Sequence, residues 1–173
     1  MKQYIVIIFL LLINSLFTQE VIAGSPISFD FDNNLEYGQF INERVDNYQE
    51  KLDDEERPSN SPYRYGKINN IDIDFFSSAK KTEINGENIW LLRIKSSDAF
   101  AISLEFDNFH INENGKFYVY NIDESLLFGA YSRINNNPQN YFNTPLIGGE
   151  DIIIEYNGTI EGTEIHISKI IHD

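Results

Sequence analysis

The sequence contains no cysteine, one tryptophan, one methionine and three histidines, and its 13 basic residues are outnumbered by 27 acidic ones. Without cysteine the chain can form neither disulfides nor thiolate metal sites, and a cysteine nucleophile is excluded. Its stability must therefore come from burial of apolar side chains, and the apolar residues, 42% of the sequence, are sufficient for one domain.

The shortage of basic residues gives a formal net charge of −14. Such a surface repels the phosphates of nucleic acids and of anionic lipids, so we expect neither as a partner. It is compatible with a basic protein partner or with calcium, and it also keeps an ordinary exported domain soluble.

The first 23 residues have the pattern of a secretory signal peptide. Lys2 precedes an apolar run of 14 residues (4–17), and small or modest side chains follow just before Gly24. This run is shorter than the roughly 18 residues that cross a bilayer, although an uncleaved anchor is the alternative. We predict cleavage before Gly24 and a secreted or periplasmic chain that makes no membrane contact afterwards.

Residues 24–60 form an acidic arm. Between Asp30 and Arg57 there are ten acidic and three basic residues, so this segment carries half of the net charge. Within 35–52, apolar side chains recur at spacings of four, three and four, which predicts a short amphipathic helix that ends at the acidic run 53–56. The side chains with this spacing are Ile41, Val45, Tyr48 and Leu52.

Residues 61–173 are predicted to form the main domain, in which the apolar pattern changes to a period of two from Lys67 onward. The alternation is clear in 70–75 and in 100–106, whereas 89–94 is almost continuously apolar and predicts a strand buried on both faces. We predict an all-β fold, an antiparallel β-sandwich or jelly roll of about eight strands, preceded by the short helix. Turn signals separate the strands, among them Asn85-Gly86, Asn114-Gly115, Gly148-Gly149 and Asn157-Gly158.

No catalytic pattern stands out among these strands. His110, His166 and His172 lie beside no Gly-x-Ser-x-Gly turn, and we assign no catalytic residue and expect the chain itself not to be an enzyme. A small hydrolase is the third-ranked alternative. The number of carboxylates does not indicate a glycoside hydrolase, because an acidic chain contains many possible pairs of catalytic carboxylates by composition alone.

Ligand binding has two candidate features. Asn70, Asp72 and Asp74 share one strand face, but no calcium loop with a central glycine occurs, so we assign no cofactor or metal and keep calcium as an alternative. Separately, Asn157-Gly158-Thr159 is formally a glycosylation sequon, but its context gives no reason to expect that it is used. Tyrosines on the sandwich could stack on sugars or simply build the core, namely Tyr63, Tyr65, Tyr118, Tyr131 and Tyr141.

An ordered set of short motifs runs through residues 53–173. An acidic segment precedes Pro-Tyr-Arg-Tyr-Gly, and a Trp-x-Leu-x-Ile-x-Ser strand, a Phe-x-x-Phe pair, a strand ending in Tyr-Asn, a glycine and a Glu-Tyr pair follow. The motif residues that we single out are Tyr63, Arg64, Gly66, Trp90, Ile94, Ser96, Phe106, Phe109, Tyr120, Asn121, Gly129, Glu155 and Tyr156.

In order and spacing this set resembles the N-terminal, pre-catalytic region of secreted bacterial trypsin-like serine proteases of the lysyl-endopeptidase type. The family's catalytic domain would be expected after His172 and Asp173, and its catalytic His, Asp and Ser have no matching positions in this sequence. The resemblance implies a prodomain-like module that assists the folding of a protease domain or inhibits it, in cis or in trans. The alternative is a stand-alone secreted or surface module that binds glycan, protein or calcium.

Overall fold

The computed structural model describes residues 24–31, 35–62 and 64–173, and it confirms an all-β fold of two sheets. The predicted signal peptide (1–23) lies outside the described residues. Within the described ranges, none of the helices combines the length and the apolar character needed to cross a bilayer. Eleven strands are present where about eight were predicted, and two of the eleven contain only two residues each.

The first sheet, sheet A, has six strands: β1 (Gly38–Ile41), β3 (Lys80–Ile84), β4 (Glu87–Lys95), β6 (Lys116–Asn121), β7 (Leu127–Tyr131) and β10 (Asp151–Asn157). β4 lies beside β10, β10 beside β6 and β6 beside β7, while β1 and β3 both pair with β4. All of these pairs are antiparallel except that of β1 with β4, which is parallel.

The second sheet, sheet B, has five strands and is antiparallel throughout. β11 lies between β2 and β5, and the two short strands β8 and β9 pair with β5. The strands are β2 (Lys67–Asp74), β5 (Ala101–His110), β8 (Phe142–Asn143), β9 (Ile147–Gly148) and β11 (Glu164–His172), and a single helical turn, α2 (Phe75–Ser78), follows β2.

The main core lies between the two sheets and is rich in aromatic rings. Phe109 stacks on Phe142 with 4.1 Å between ring centroids, and Phe106 and Phe117 meet this pair edge-on. All four side chains are buried. Such edge-on and offset contacts are the favourable geometries for aromatic rings, and they join sheet A to sheet B.

The outer face of sheet A is also apolar, and the beginning of the described chain covers it. We call residues 24–31 and 35–37 the N-terminal strap; it includes a 3₁₀ turn, Ile27–Asp30. Ile27, Phe29, Leu35 and Tyr37 of the strap pack on this face. The residues beneath them are Ile84, Ile89, Leu91, Tyr118, Tyr120, Ala130 and Ile153.

The predicted helix over 35–52 is wrong in its first half. Residues 38–41 form β1, and Phe40 packs against the main core, whereas helix α1 comprises Asn47–Glu55. The helix begins where the Asp46 carboxylate accepts hydrogen bonds from the amides of Tyr48 and Gln49, both at 3.1 Å. The spacing of Ile41 and Tyr48 was misleading, because both side chains are about 70% exposed.

Helix α1 continues through most of the acidic run that was expected to end it. A carboxylate at a helix C-terminus is unfavourable because the helix dipole is negative there, so these charges need cations. Arg64 lies 2.9 Å from Asp54 and 2.6 Å from Glu50, and Lys67 lies 2.8 Å from Glu50. No residue of the helix is buried, so ion pairs and hydrogen bonds rather than apolar packing hold α1 on the sandwich.

We predict that Gly38→Ala will destabilise the fold by about 2 kcal/mol or more. A Cβ added at residue 38 would lie 1.9 Å from the carbonyl oxygen of Ser78, so either β1 or α2 would have to move. Urea unfolding of the variant measures the loss, with Gln39→Ala, at the exposed next position of β1, as the control. Equal stability of the two variants would contradict the close packing of β1 against α2.

Candidate functional site

The motif residues are mostly structural. Seven of them are completely or almost completely buried, and Tyr63 lies outside the described residues. The seven are Ile94, Ser96, Phe106, Phe109, Tyr120, Glu155 and Tyr156, each with at most 1% of its surface exposed. The sequence pattern therefore marks how the sandwich is built, and surfaces for binding have to be sought elsewhere.

The Phe-x-x-Phe pair follows from an irregularity in β5. Asn108 pairs with His166 and Phe106 pairs with Ile167, so Asp107 is an extra residue that is paired with no residue of β11 in the strand register. Such a bulge shifts the alternation by one position. Phe106 and Phe109 therefore both point into the core although they are three residues apart.

Glu155 is a buried carboxylate that holds the strap in place. The side chain has no exposed surface, and it accepts hydrogen bonds from the Ser28 hydroxyl at 2.5 Å, the Ser28 amide at 3.3 Å and the Tyr120 hydroxyl at 3.0 Å. Desolvation raises the pKa of Glu155, whereas these donors oppose the rise. Glu155 and Tyr120 were selected from sequence, but their partner Ser28 was not, because no motif includes it.

Ser96 and His172 lie together at the end of the sandwich next to α1. The Ser96 hydroxyl is 2.7 Å from His172 Nδ1, and His172 Nε2 is 2.9 Å from the side-chain oxygen of Asn47. A second amide, that of Asn42, donates to the Ser96 hydroxyl at 2.9 Å. This chain of hydrogen bonds ties α1 and the residue after β1 to the ends of β4 and β11.

The order serine, histidine, asparagine resembles a nucleophile with its base and an orienting amide. Ser96 has no exposed surface, however, so its hydroxyl cannot approach a substrate carbonyl in this arrangement. Burial lowers the pKa of His172, which keeps the imidazole neutral as the acceptor that a serine hydroxyl requires. We therefore assign this chain of side chains a structural role.

Arg64 and Gly66 connect α1 to the sandwich. Arg64 donates to the carbonyl oxygen of Glu50 at 3.0 Å, in addition to its ion pairs. Gly66 allows the backbone to pass close to β11, because a Cβ there would lie 2.4 Å from the carbonyl oxygen of His172. The Arg-x-Gly part of the motif therefore fixes the position of α1 relative to the end of β11.

The remaining motif residues stabilise turns and strand contacts. Asn121 bonds to the Ser125 hydroxyl and the Leu126 amide at 2.9 and 2.8 Å, which closes the turn between β6 and β7. Gly129 has a φ of +121°, a conformation that favours glycine. Trp90 meets the ring of Phe76 edge-on at 5.2 Å.

A groove lies between α1 and the end of β11. This α1 groove has a volume of about 410 Å³ and is lined by residues of α1, by 64–67, and by Phe100, His172 and Asp173. Phe100 and Tyr65 line it with 81% and 68% of their surfaces exposed. Large exposed aromatic side chains beside a concave surface are typical of protein contact sites.

The ligand candidates from sequence are not brought together. Tyr118 and Tyr131 are buried, whereas Tyr65 and Tyr141 are exposed. Within the described part of the chain, no three His, Asp or Glu side chains are grouped so that they could hold a metal ion. Asp72 instead lies 2.8 Å from His166 Nε2, and Asp107 lies 2.5 Å from His166 Nδ1.

Comparison with known proteins does not assign the chain to a family. No family model matches the sequence, and none of the curated proteins matches it. The relation to protease N-terminal regions therefore stays a prediction from the motifs.

His166 and His172 predict opposite pH dependences of stability. The ion pair with Asp107, and then that with Asp72, raises the pKa of His166, so its stabilisation is present below the ordinary value of 6.5 and is lost as the pH rises through the raised pKa. The lowered pKa of His172 acts in the opposite sense: its stabilisation is present above 6.5 and is lost as the pH falls.

Unfolding free energies measured from mildly acidic to mildly alkaline pH would test this pair. His166→Gln should remove up to about 1 kcal/mol of stability on the acidic side, and His172→Gln should flatten the loss of stability on acidification. His110→Gln, at an exposed end of β5, is the control. Parallel pH profiles for all three variants and the unaltered chain would contradict the assignment.

Proposed function

We propose that this protein is a non-catalytic, secreted β-sandwich that associates with a serine endopeptidase domain, in cis or in trans, and assists its folding or inhibits it. The observation that supports this most directly is the α1 groove, in which exposed aromatic side chains lie beside an acidic helix. A protease domain bound in cis would, by the resemblance, be expected to follow Asp173, and Asp173 itself lines this groove.

The groove has the composition of an interface rather than of a catalytic site. Phe100 supplies an apolar anchor, and charged side chains of both signs surround it. The lining has four carboxylates (Glu50, Asp54, Glu55 and Asp173) and three bases (Lys51, Arg64 and Lys67), and Arg64 and Lys67 already pair with Glu50 or Asp54. Buried aromatic anchors carry most of the affinity of an interface, so a protease surface with an apolar patch and polar surroundings would fit it.

The polar chain around Ser96 also supports a role without catalysis. The one serine that lies within hydrogen-bond distance of a histidine among the described residues is buried, and its histidine is fixed by Asn47. These side chains set the position of α1, and α1 forms one wall of the groove. The same residues that resemble a catalytic group thus shape the proposed contact surface.

Refolding of a protease domain in the presence of residues 24–173 tests the proposal. A denatured lysyl-endopeptidase-type protease domain should recover more activity when residues 24–173 are present, or the native enzyme should be inhibited by them. The competing functions predict neither effect. An unchanged refolding yield together with uninhibited peptidase activity would reject the proposal.

Phe100→Ala probes the groove within the same assay. We expect inhibition or refolding assistance to become roughly tenfold to hundredfold weaker, because truncation of an aromatic anchor typically costs about 1–3 kcal/mol. The fold should be unaffected, because the Phe100 side chain is exposed. Ile134→Ala, at another exposed apolar residue outside the groove, is the control and should behave like the unaltered chain.

A further inference from the structure

A second concave surface lies at the other side of the molecule, on the outer face of sheet A. The cleft has a volume of about 490 Å³ and is bounded by the strap and by the turns that follow β3 and β10. We call it the Asn157 cleft. Its polar lining includes Ser25, Asn88, Asn114, Lys116, Tyr118 and Asn157.

Asn157 is buried without a hydrogen-bond partner. Only 4% of the residue is exposed, and neither its side-chain nitrogen nor its side-chain oxygen has a partner among the described residues. The amide is near enough to Glu155 to help lower the pKa of that carboxyl, but it is not in hydrogen-bond geometry with it. An unpaired buried amide destabilises the folded state, so folding alone gives no reason to keep it.

Other polar groups of the cleft are also unused by the fold. The Tyr118 side chain is almost fully buried, and its hydroxyl makes no hydrogen bond within the described residues. The side-chain amides of Asn88 and Asn114 make none there either. Burial raises the pKa of Tyr118 to about 12, so its hydroxyl is a neutral donor and acceptor.

The charges of the cleft indicate a neutral ligand. Glu87 and Lys116 line it with opposite signs, so neither an anion nor a cation is favoured overall. Amides and a phenol can each both donate and accept hydrogen bonds, and vicinal hydroxyl groups do the same. The volume lies within the range of small-molecule sites, which is about 300–1,000 Å³.

Asn157 also begins the formal glycosylation sequence. Its side chain is buried in the folded chain, so the folded protein cannot present this amide for modification.

We propose that the Asn157 cleft binds one residue of a neutral saccharide, with the Asn157 amide and the Tyr118 hydroxyl as its principal hydrogen-bonding groups. This site is separate from the α1 groove and does not depend on association with a protease. It makes the protein a module with two binding surfaces, one for a protein and one for a polyhydroxylated ligand.

Titration of residues 24–173 with single sugars, followed by amide NMR shifts, tests the proposal. Glucose, galactose, mannose and N-acetylglucosamine are the neutral probes, and glucuronate and sialic acid are the charged ones. At least one neutral sugar should shift the signals of residues around 88, 116–118 and 157 at millimolar concentration. Absence of shifts with every neutral sugar, or stronger binding of a charged one, would overturn the proposal.

Substitution of Asn157 separates binding from folding. Asn157→Leu should leave the unfolding free energy unchanged or higher, because it removes an unpaired polar group, and should weaken sugar binding at least about tenfold. The matched control is Asn121→Leu, which removes an amide that is fully bonded: it should lower stability and leave binding intact. A loss of stability in both variants would mean that the Asn157 amide serves the fold, and it would reject the site.

Tyr118→Phe gives a second test that keeps the buried ring. It should weaken binding of the same sugar while leaving the fold unchanged, because the hydroxyl makes no hydrogen bond within the described residues. Unchanged affinity in this variant would exclude the hydroxyl as a ligand group and would contradict the proposal as stated.

Discussion

The structure depends on one constraint: sheet A is apolar on both of its faces, so both must be covered. Sheet B covers the inner face, and the N-terminal strap covers the outer face. The Glu155 carboxylate fixes the strap. Because this carboxylate is buried, it needs hydrogen bonds from the protein, and Ser28 of the strap and Tyr120 donate them. Loss of the strap would expose apolar surface and leave a buried carboxylate without two of its three donors, which explains why a short segment far away in sequence belongs to the fold.

Most of the residues that build the molecule differ from those that line its two concave surfaces. The motif residues lie in the core, in turns and in the attachment of α1; of the described ones, Arg64 and Gly66 line the α1 groove and none lines the Asn157 cleft. One surface is formed where charge pairs hold α1 at the end of the sandwich, and the other where the strap crosses the edge of sheet A. Protein association and saccharide binding are therefore proposed for different ends of a rigid scaffold.

Local patterns made the sandwich predictable. Alternation in β2 and β5 and the continuous apolar run in β4 were sufficient for the fold class, because these patterns record which faces are buried. The features that the sequence did not predict depend on residues that are distant along the chain. Residues 38–41 form a strand because they pair with β4, and the acidic run stays helical because Arg64 forms ion pairs with it. Ser96 contacts His172 only when β4 and β11 have assembled. Such contacts leave no periodic signal.

We propose that the α1 groove is the surface that contacts a protease domain. Hydrogen–deuterium exchange of residues 24–173, alone and with a lysyl-endopeptidase-type protease domain, would show whether it does. We expect slower exchange in α1 (Asn47–Glu55) and around Phe100 in the mixture, with the outer face of sheet B unchanged. Identical exchange in the two samples, or protection confined to sheet B, would contradict it.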